Sequence, residues 1–168
     1  MIEILTGDML AGGAGSLVCP SNCLGALGAG LAKHFKRRYP EACAKYTAAC
    51  RAAVCGGPRP GNVLPFLADS SGLFPDEPLI YFAMTKGSWR HDSQIEWIRG
   101  CAANLLSRGL ANASTRGSMA VPALGCGEGG LDWNDVRPIL IDMAEQLERA
   151  GVKVFLYGPQ STKRRNTS

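Results

Sequence analysis

Histidine occurs only twice in this chain of 168 residues, and no two cysteines stand in C-x-x-C spacing. Zinc sites are built from those residue types at short intervals, so the sequence gives zinc little support. The seven cysteines (Cys19, Cys23, Cys43, Cys50, Cys55, Cys101 and Cys126) are odd in number and scattered over strand-like and helix-like stretches. They read as small buried hydrophobes in a reducing compartment. Also missing are an apolar run long enough to span a bilayer, a basic segment followed by an apolar one behind Met1, and any internal repeat. The expected location is therefore the cytoplasm, with no membrane partner. Charged residues make up 19% against 46% hydrophobic, which places the chain among globular proteins. Its length suits one domain that buries a core without staples.

What is plentiful is glycine: 21 residues, concentrated in a few stretches and not in a repeat. Around them run six strand-like segments, Ile2 to Thr6, Ser16 to Cys19, Val63 to Phe66, Leu79 to Met84, Met119 to Val121 and Val152 to Tyr157. Several are continuously apolar, as strands covered on both faces are. Four helical patterns are available to cover them. Leu31, Phe35 and Tyr39 recur at a spacing of four in a helix opening near Gly28, and Pro40 opens the next, where Cys43, Tyr46, Cys50 and Ala53 share a face. Ser93 and Glu96 form a capping box before the stripe Ile95, Ile98, Cys101, Ala102, Leu105 and Leu106, which ends at Gly109. The last helix begins between Asp132 and Asp135, with a first turn expected to be irregular because Pro138 cannot donate to it. Its inward face is Val136, Ile139, Leu140, Met143 and Leu147, and it stops at Gly151. Alternating strands and helices predict a three-layer α/β/α domain with a mixed, mostly parallel sheet and ligand loops at the carboxyl ends of the strands.

Two glycine-rich loops fall at such ends: "NCLGALGAG", residues 22–30, and "PALGCGEGGLDW", residues 122–133. Without a Cβ the chain can take positive φ and aim successive amides at an oxyanion, and a following helix N-terminus adds partial positive charge. Neither loop carries the lysine of a P-loop, and G-x-G-x-x-G is absent in the form a dinucleotide fold needs. Two turns that merely reverse the chain would show the same glycines. Net charge is +4, with basic residues gathered at Lys33, Lys36, Arg37 and Arg38, at Lys86 with Arg90, and at Lys163 to Arg165. That balance suits a polyanionic partner, and a solvated helix face plus a polar tail accounts for it equally. Asp8, in "TGD" after the first strand, can accept from an exocyclic amine such as that of adenine, or simply cap a turn.

"TGDML", "NCLGALGAGLAKHFKRRYP" and "VPALGCGEGGLDW" together resemble a macrodomain, the ADP-ribose-binding fold, from the first strand to the last helix. The "NC-x-G" opening, the "GCG" loop and the pair Thr85–Lys86 are most similar to the branch holding the DarG antitoxins and the terminal ADP-ribose glycohydrolase. The resemblance implies a macrodomain over residues 1–158 followed by a polar basic tail, 159–168, read as disordered. It implies that Asp8 and the Met9 backbone read adenine and that Asn22 holds the distal ribose. Gly25, Ala26, Leu27 and Gly28 would meet one side of a diphosphate. Gly125, Cys126, Gly127, Glu128, Gly129, Gly130 and Leu131 would close over the other side and the distal ribose, and Thr85 joins this ADP-ribose-binding set. Neither a metal nor a cofactor is implied, since ADP-ribose is itself ligand and product.

In position Lys86 resembles the catalytic lysine of the DarG branch, which implies that it acts at the anomeric carbon as nucleophile or proton donor; in isolation it would pass for a solvated surface residue. Where the terminal glycohydrolase has an assisting aspartate this chain has Gly129, preceded by Glu128, which weakens a protein-deglutamylating assignment. The expected activity is removal of ADP-ribose from a base in single-stranded DNA, reversing a DarT-like toxin. Trp89 would stack on a base and Arg90 would meet the DNA backbone, unless Trp89 folds under the next helix as core. The alternatives are an ADP-ribose reader without turnover and a hydrolase of ADP-ribosyl glutamate or of ADP-ribose phosphate. Full-length DarG-like antitoxins carry a second domain that contacts the toxin. No segment of this chain matches it, so a toxin complex would require that missing part.

Overall fold

The computed structural model describes residues 1–52, 57–112 and 117–160; Ala53, Cys55 and the basic tail from Ser161 onward lie outside the described residues. Six strands, β1 (Ile4–Leu5), β2 (Ser16–Asn22), β3 (Val63–Leu67), β4 (Leu79–Lys86), β5 (Ser118–Val121) and β6 (Lys153–Tyr157), form one sheet in the order β1-β6-β5-β2-β4-β3. Every adjacent pair is parallel except β3 with β4. All eight residues of β4 are buried, as a continuous apolar run in mid-sheet requires. Pro65 is confined to the edge strand β3, where a missing donor disturbs no second neighbour.

Helices cover both faces. On one side α1 (Gly30–Arg38) and α2 (Pro40–Ala52) bury Phe35, Ala42, Cys43 and Tyr46 against Leu17, Cys19, Ile80, Phe82 and Met84. On the other, α3 (Ile95–Ala111) and α4 (Trp133–Arg149) bury Ile98, Leu105, Val136, Leu140 and Leu147 against Val18, Tyr81, Ala83 and Val121. The three layers and the mixed sheet are as the alternation of segments predicts. Of the inward face expected for α4, only Ile139 is less than fully buried.

Several boundaries differ from the sequence reading. β4 continues to Lys86, so the lysine ends a strand and does not sit in a loop. The helix α1 starts at Gly30. Gly109 does not end α3, which runs on to Ala111 with Gly109 packed inside. A Cβ at Gly109 would lie 2.7 Å from Leu147 Cδ2, so the glycine serves contact between helices. Helix α4 is regular through Pro138, which lies on its exposed side, where an absent hydrogen bond is least disruptive.

The capping box is not formed. Gln94 occupies the N-cap of α3 without a side-chain bond, and Glu96 turns to Arg99 at 3.5 Å. The Ser93 hydroxyl has no hydrogen-bond partner among the described residues, because the Ser93 N–H is drawn to the Gly129 carbonyl at 2.9 Å and carries the side chain under that loop. By contrast, Asp132 caps α4, its Oδ1 accepting from the Asn134 N–H at 2.8 Å.

Chemical denaturation separates the two residues. Asp132→Ala should lower stability by about 1 kcal/mol, the usual value of a lost cap, while Ser93→Ala should change it by less than about 0.5 kcal/mol. Equal losses would restore the capping box.

Candidate functional site

The carboxyl ends of β1, β2, β4, β5 and β6 share one edge of the sheet, and the chain leaves β2 and β5 toward opposite faces. A crevice at such a divergence is where open α/β sheets take ligands. Its floor is visible in the pairing. β5 meets β2 only at Ser16 and Leu17, so the second half of β2 is flanked by β4 alone. Pro20, which cannot donate to a ladder, falls in that half.

The first loop, residues 23–29, is organised by Asn22. Its Oδ1 accepts from the Leu24 N–H (3.0 Å) and the Ala26 N–H (3.2 Å), and its Nδ2 donates to the Ala26 carbonyl (2.8 Å). The carboxamide therefore shapes the loop, with one Nδ2 hydrogen unused among the described residues. Gly25 has φ +78°, and a Cβ there would stand 3.1 Å from Thr47 Cα, while Thr47 Oγ1 donates to the Gly25 carbonyl at 2.9 Å. That glycine is required by helix α2. Leu27 is core, at 6% exposure. Gly28 differs: its φ is not positive and a Cβ would meet nothing within 4 Å, so the protein itself gives no reason for glycine. The amides of Gly28 and Ala29 have no acceptor among the described residues, and α1 begins with no side-chain cap and no acidic residue in its first turn. The amides of Gly25 and Leu27 also lack an acceptor among the described residues, so, Ala26 apart, unpaired N–H groups run from Gly25 to the start of α1, the arrangement that suits an oxyanion.

The second loop repeats the pattern. Gly125 (φ +75°) would place a Cβ 2.9 Å from both Ile98 Cδ1 and Leu131 Cδ1, and Gly129 would place one 2.4 Å from Ser93 Oγ and 2.6 Å from the Gly125 carbonyl oxygen. Gly130 has φ +75° with Asp92 Oδ1 3.4 Å from its Cβ position. Leu131 N–H donates back to Gly125 at 2.9 Å, and the Leu131 side chain packs on the core. Gly127 alone has open space and no positive φ. The amides of Gly127, Glu128 and Gly129 lack acceptors among the described residues. The loops face each other closely enough that the Cβ position of Gly30 is 3.6 Å from Glu128 Cγ. Glu128 is exposed, as expected of a loop glutamate.

Lys86 lies between them. It is 8% exposed, and its Nζ donates to the Glu128 carbonyl at 3.1 Å. A lysine this buried with one hydrogen-bond partner among the described residues is an arrangement that stability alone does not favour. Neighbouring Thr85 is 3% exposed, and its hydroxyl donates to the Ser21 carbonyl at 3.2 Å, which commits its one hydroxyl proton to the sheet. Trp89 is 56% exposed with the Arg90 guanidinium 4.9 Å above its ring, which rules out a place in the core. Asp8 is exposed and caps the short 3-10 turn Met9–Ala11, Oδ1 accepting from Leu10 N–H at 2.9 Å, while the Met9 side chain is buried core.

Sequence reasoning missed Tyr46, Thr47, Asp92 and the contact role of Ser93. Tyr46 stacks on Phe82 at 4.5 Å, accepts from the Asn22 N–H at 3.2 Å and donates to the Asn22 carbonyl. Burial pushes its phenol pKa upward, so it remains a donor. A core aromatic on a helix carries no signal of such a bond. Of the described cysteines, Cys19, Cys43 and Cys101 are buried, and Cys23, Cys50 and Cys126 are half-buried. Burial pushes Cys126, in the second loop, up to about 11 and Cys101 up to about 12, and no disulfide or metal-binding cluster occurs among the described residues.

Layers and crevice together define an α/β/α domain with two opposed strips of unpaired amides at the divergence of its sheet. The sequence matches the Macro domain family over residues 18–140, and the chain belongs to that family. It is 35% identical over 164 residues to the DNA ADP-ribosyl glycohydrolase of Mycobacterium tuberculosis, covering 98% of this chain and 44% of that protein. It is 33% identical over 159 residues to the protein of the same name from Thermus aquaticus, covering 95% and 41%. The chain thus spans under half the length of these curated relatives. The solved macrodomain of Mycobacterium tuberculosis DarG superposes with a TM-score of 0.81 at 35% identity, covering 95% of this chain and 99% of that one. Thermosipho africanus DarTG, solved in complex with ADP-ribose, superposes with 0.79 at 26% identity, covering 94% and 41%.

The two kinds of glycine make a test on unfolding. Gly129→Ala should destabilise by about 1–3 kcal/mol, because the serine side chain and a carbonyl must both move, and Gly127→Ala should stay within about 0.5 kcal/mol of the parent in denaturant melts.

Proposed function

We propose that this macrodomain hydrolyses the bond between ADP-ribose and a nucleobase of single-stranded DNA. The observation that carries the reading is Lys86, a buried lysine held between two amide strips that converge on one crevice. A diphosphate is the dianionic unit that opposed strips of free amides and an uncapped helix start would hold. Asp8, whose Oδ2 is not used in the cap, would accept from adenine, and the remaining Nδ2 hydrogen of Asn22 would serve the distal ribose. The ribose anomeric carbon then falls near Lys86 Nζ. Water oxygen bonds to that carbon, the glycosidic C–N bond breaks, and the proton goes to the departing base nitrogen. Lys86 either delivers that proton or attacks the carbon first.

Support for the DNA substrate comes from the names of the relatives and from the exposed Trp89–Arg90 pair on the segment just after Lys86. The guanidinium lies over one face of the indole, and the exposed ring would stack on a base through the other. A further relative, from Thermosipho africanus, is named a fusion of a DNA ADP-ribosyl transferase with such a glycohydrolase. Reversal of a transferase's modification is the corresponding role here. A second reading, an ADP-ribose reader without turnover, draws on the bond from Lys86 to Glu128, which would make the lysine a strut for the loop.

The deciding experiment measures turnover of an ADP-ribosylated single-stranded oligonucleotide and calorimetric binding of ADP-ribose on the same variants. Lys86→Ala should reduce turnover at least about 100-fold with ADP-ribose affinity within about fivefold of the parent. A reader would show no parental turnover to lose. Trp89→Ala should weaken DNA processing by about 1–3 kcal/mol, the range of base stacking, without altering affinity for free ADP-ribose. Equal losses in both assays would refute the stacking role.

A further inference from the structure

A strand alternates its side chains between the two faces of a sheet, and in β4 that alternation is visible: Ile80, Phe82 and Met84 point to the α1/α2 layer, Tyr81 and Ala83 to the α3/α4 layer. Continued regularly, it would send Lys86 with Met84 toward α1 and α2, away from the second loop. The pairing with β2 shows why this does not happen. Ser21 pairs with Met84, but the next residue, Asn22, pairs with Lys86, so Thr85 is an extra residue in β4. One inserted residue shifts the phase by one and returns Lys86 to the face of the second loop, where Nζ meets the Glu128 carbonyl. Asn22 and Lys86 become direct neighbours for the same reason.

We propose that Thr85 is a positioning residue: its hydroxyl bond to the Ser21 carbonyl pins the bulge in β4 and thereby aims Lys86 into the crevice. The bond crosses from the extra residue of β4 to the last regularly paired residue of β2, the point at which the register shifts. Both ends are dry, with Ser21 at 5% and Thr85 at 3% exposure, so solvent does not compete for the bond. On the other strand the next residue is held independently, by the two bonds between Tyr46 and the Asn22 backbone. With β2 fixed by Tyr46, the freedom left at this junction is the path of β4, and the Thr85 hydroxyl restrains that path. After the bulge, pairing resumes with the Cys23 N–H donating to Lys86 and Gly87 carbonyls at 3.2 and 3.3 Å. The role of Lys86 at the anomeric carbon rests on the function proposed above, whereas the aiming of its side chain does not.

The test compares Thr85→Val, which keeps the shape and loses the hydroxyl, with Thr85→Ser, which keeps the hydroxyl. Thr85→Ala carries the same expectation as the valine variant if valine fails to fold. Steady-state turnover of ADP-ribosylated single-stranded DNA, calorimetric affinity for ADP-ribose, and acylation of Lys86 by an amine-reactive reagent with and without ADP-ribose are measured on each. For Thr85→Val we expect kcat to fall about 10- to 100-fold with KM and ADP-ribose affinity within about threefold, and Thr85→Ser to stay within about threefold of the parent throughout. In the parent, ADP-ribose should shield Lys86 from acylation, and this shielding should be lost in Thr85→Val. Unchanged turnover and shielding in Thr85→Val, equal impairment of valine and serine variants, or loss of ADP-ribose affinity in step with turnover would each overturn the proposal. A parent protein that shields Lys86 with ADP-ribose but shows no turnover defeats the hydrolase reading alone. The shielding comparison then decides the role of Thr85 by itself.

Discussion

The site depends on backbone amides that the fold leaves unpaired at one edge of the sheet. Donors without acceptors are unfavourable inside a protein, and folded chains pair nearly all of them. Here the first loop and the second each present several, the Gly28–Ala29 segment beside the uncapped start of α1 and the Gly127–Gly129 segment across from it. Other segments are held so that these stay free. Asn22 takes the amides of Leu24 and Ala26, Thr47 takes the Gly25 carbonyl, and Leu131 closes back on Gly125. The polar interactions of both loops thus have a division of labour: side chains and internal bonds fix the shape, and a short strip of amides faces outward.

That division also sorts the glycines. Gly25, Gly125 and Gly129 are close-approach positions, where any Cβ would collide with a helix or with the neighbouring loop turn. Gly28 and Gly127 have neither a demanding φ nor a neighbour to avoid. A side chain would be accepted there by the free protein, and under the proposed function their smallness would serve the ligand.

The architecture was legible in the sequence because it is carried by repeated, redundant signals. Six apolar runs, four helical stripes and two glycine loops survive errors of a few residues at any boundary. The details of the site were less legible, and for one reason: they turn on register. Nothing in "AMTKGSW" indicates that Thr85 is a surplus residue, since a bulge is a relation between two strands and not a property of one. The resemblance grouped Thr85 with the ADP-ribose contacts, and it carried no sign of the hydroxyl bond to the Ser21 carbonyl. Ser93 and Glu96 satisfied a local capping pattern, yet the bond from Ser93 to Gly129, thirty-six residues away in sequence, displaced it. Trp89 was open between core and surface until its exposure and its contact with Arg90 decided the matter.

The glycine at 129 bears on how the lysine would have to work. A carboxylate at that position could orient or charge-balance Lys86, but a Cβ there would overlap the Ser93 hydroxyl and the Gly125 carbonyl, so this loop conformation excludes every side chain. The nearby acid, Glu128, is exposed and presents its main-chain oxygen, not its carboxylate, to Lys86 Nζ. A carbonyl dipole directs an amine without neutralising it, and it is fixed by the same loop whose amides face outward. Ligand binding to those amides would therefore act directly on the group that holds the lysine. Coupling of this kind needs no second catalytic side chain, only a loop and a strand whose relative position is rigid, and that rigidity resides at the junction of Ser21, Asn22, Thr85 and Lys86.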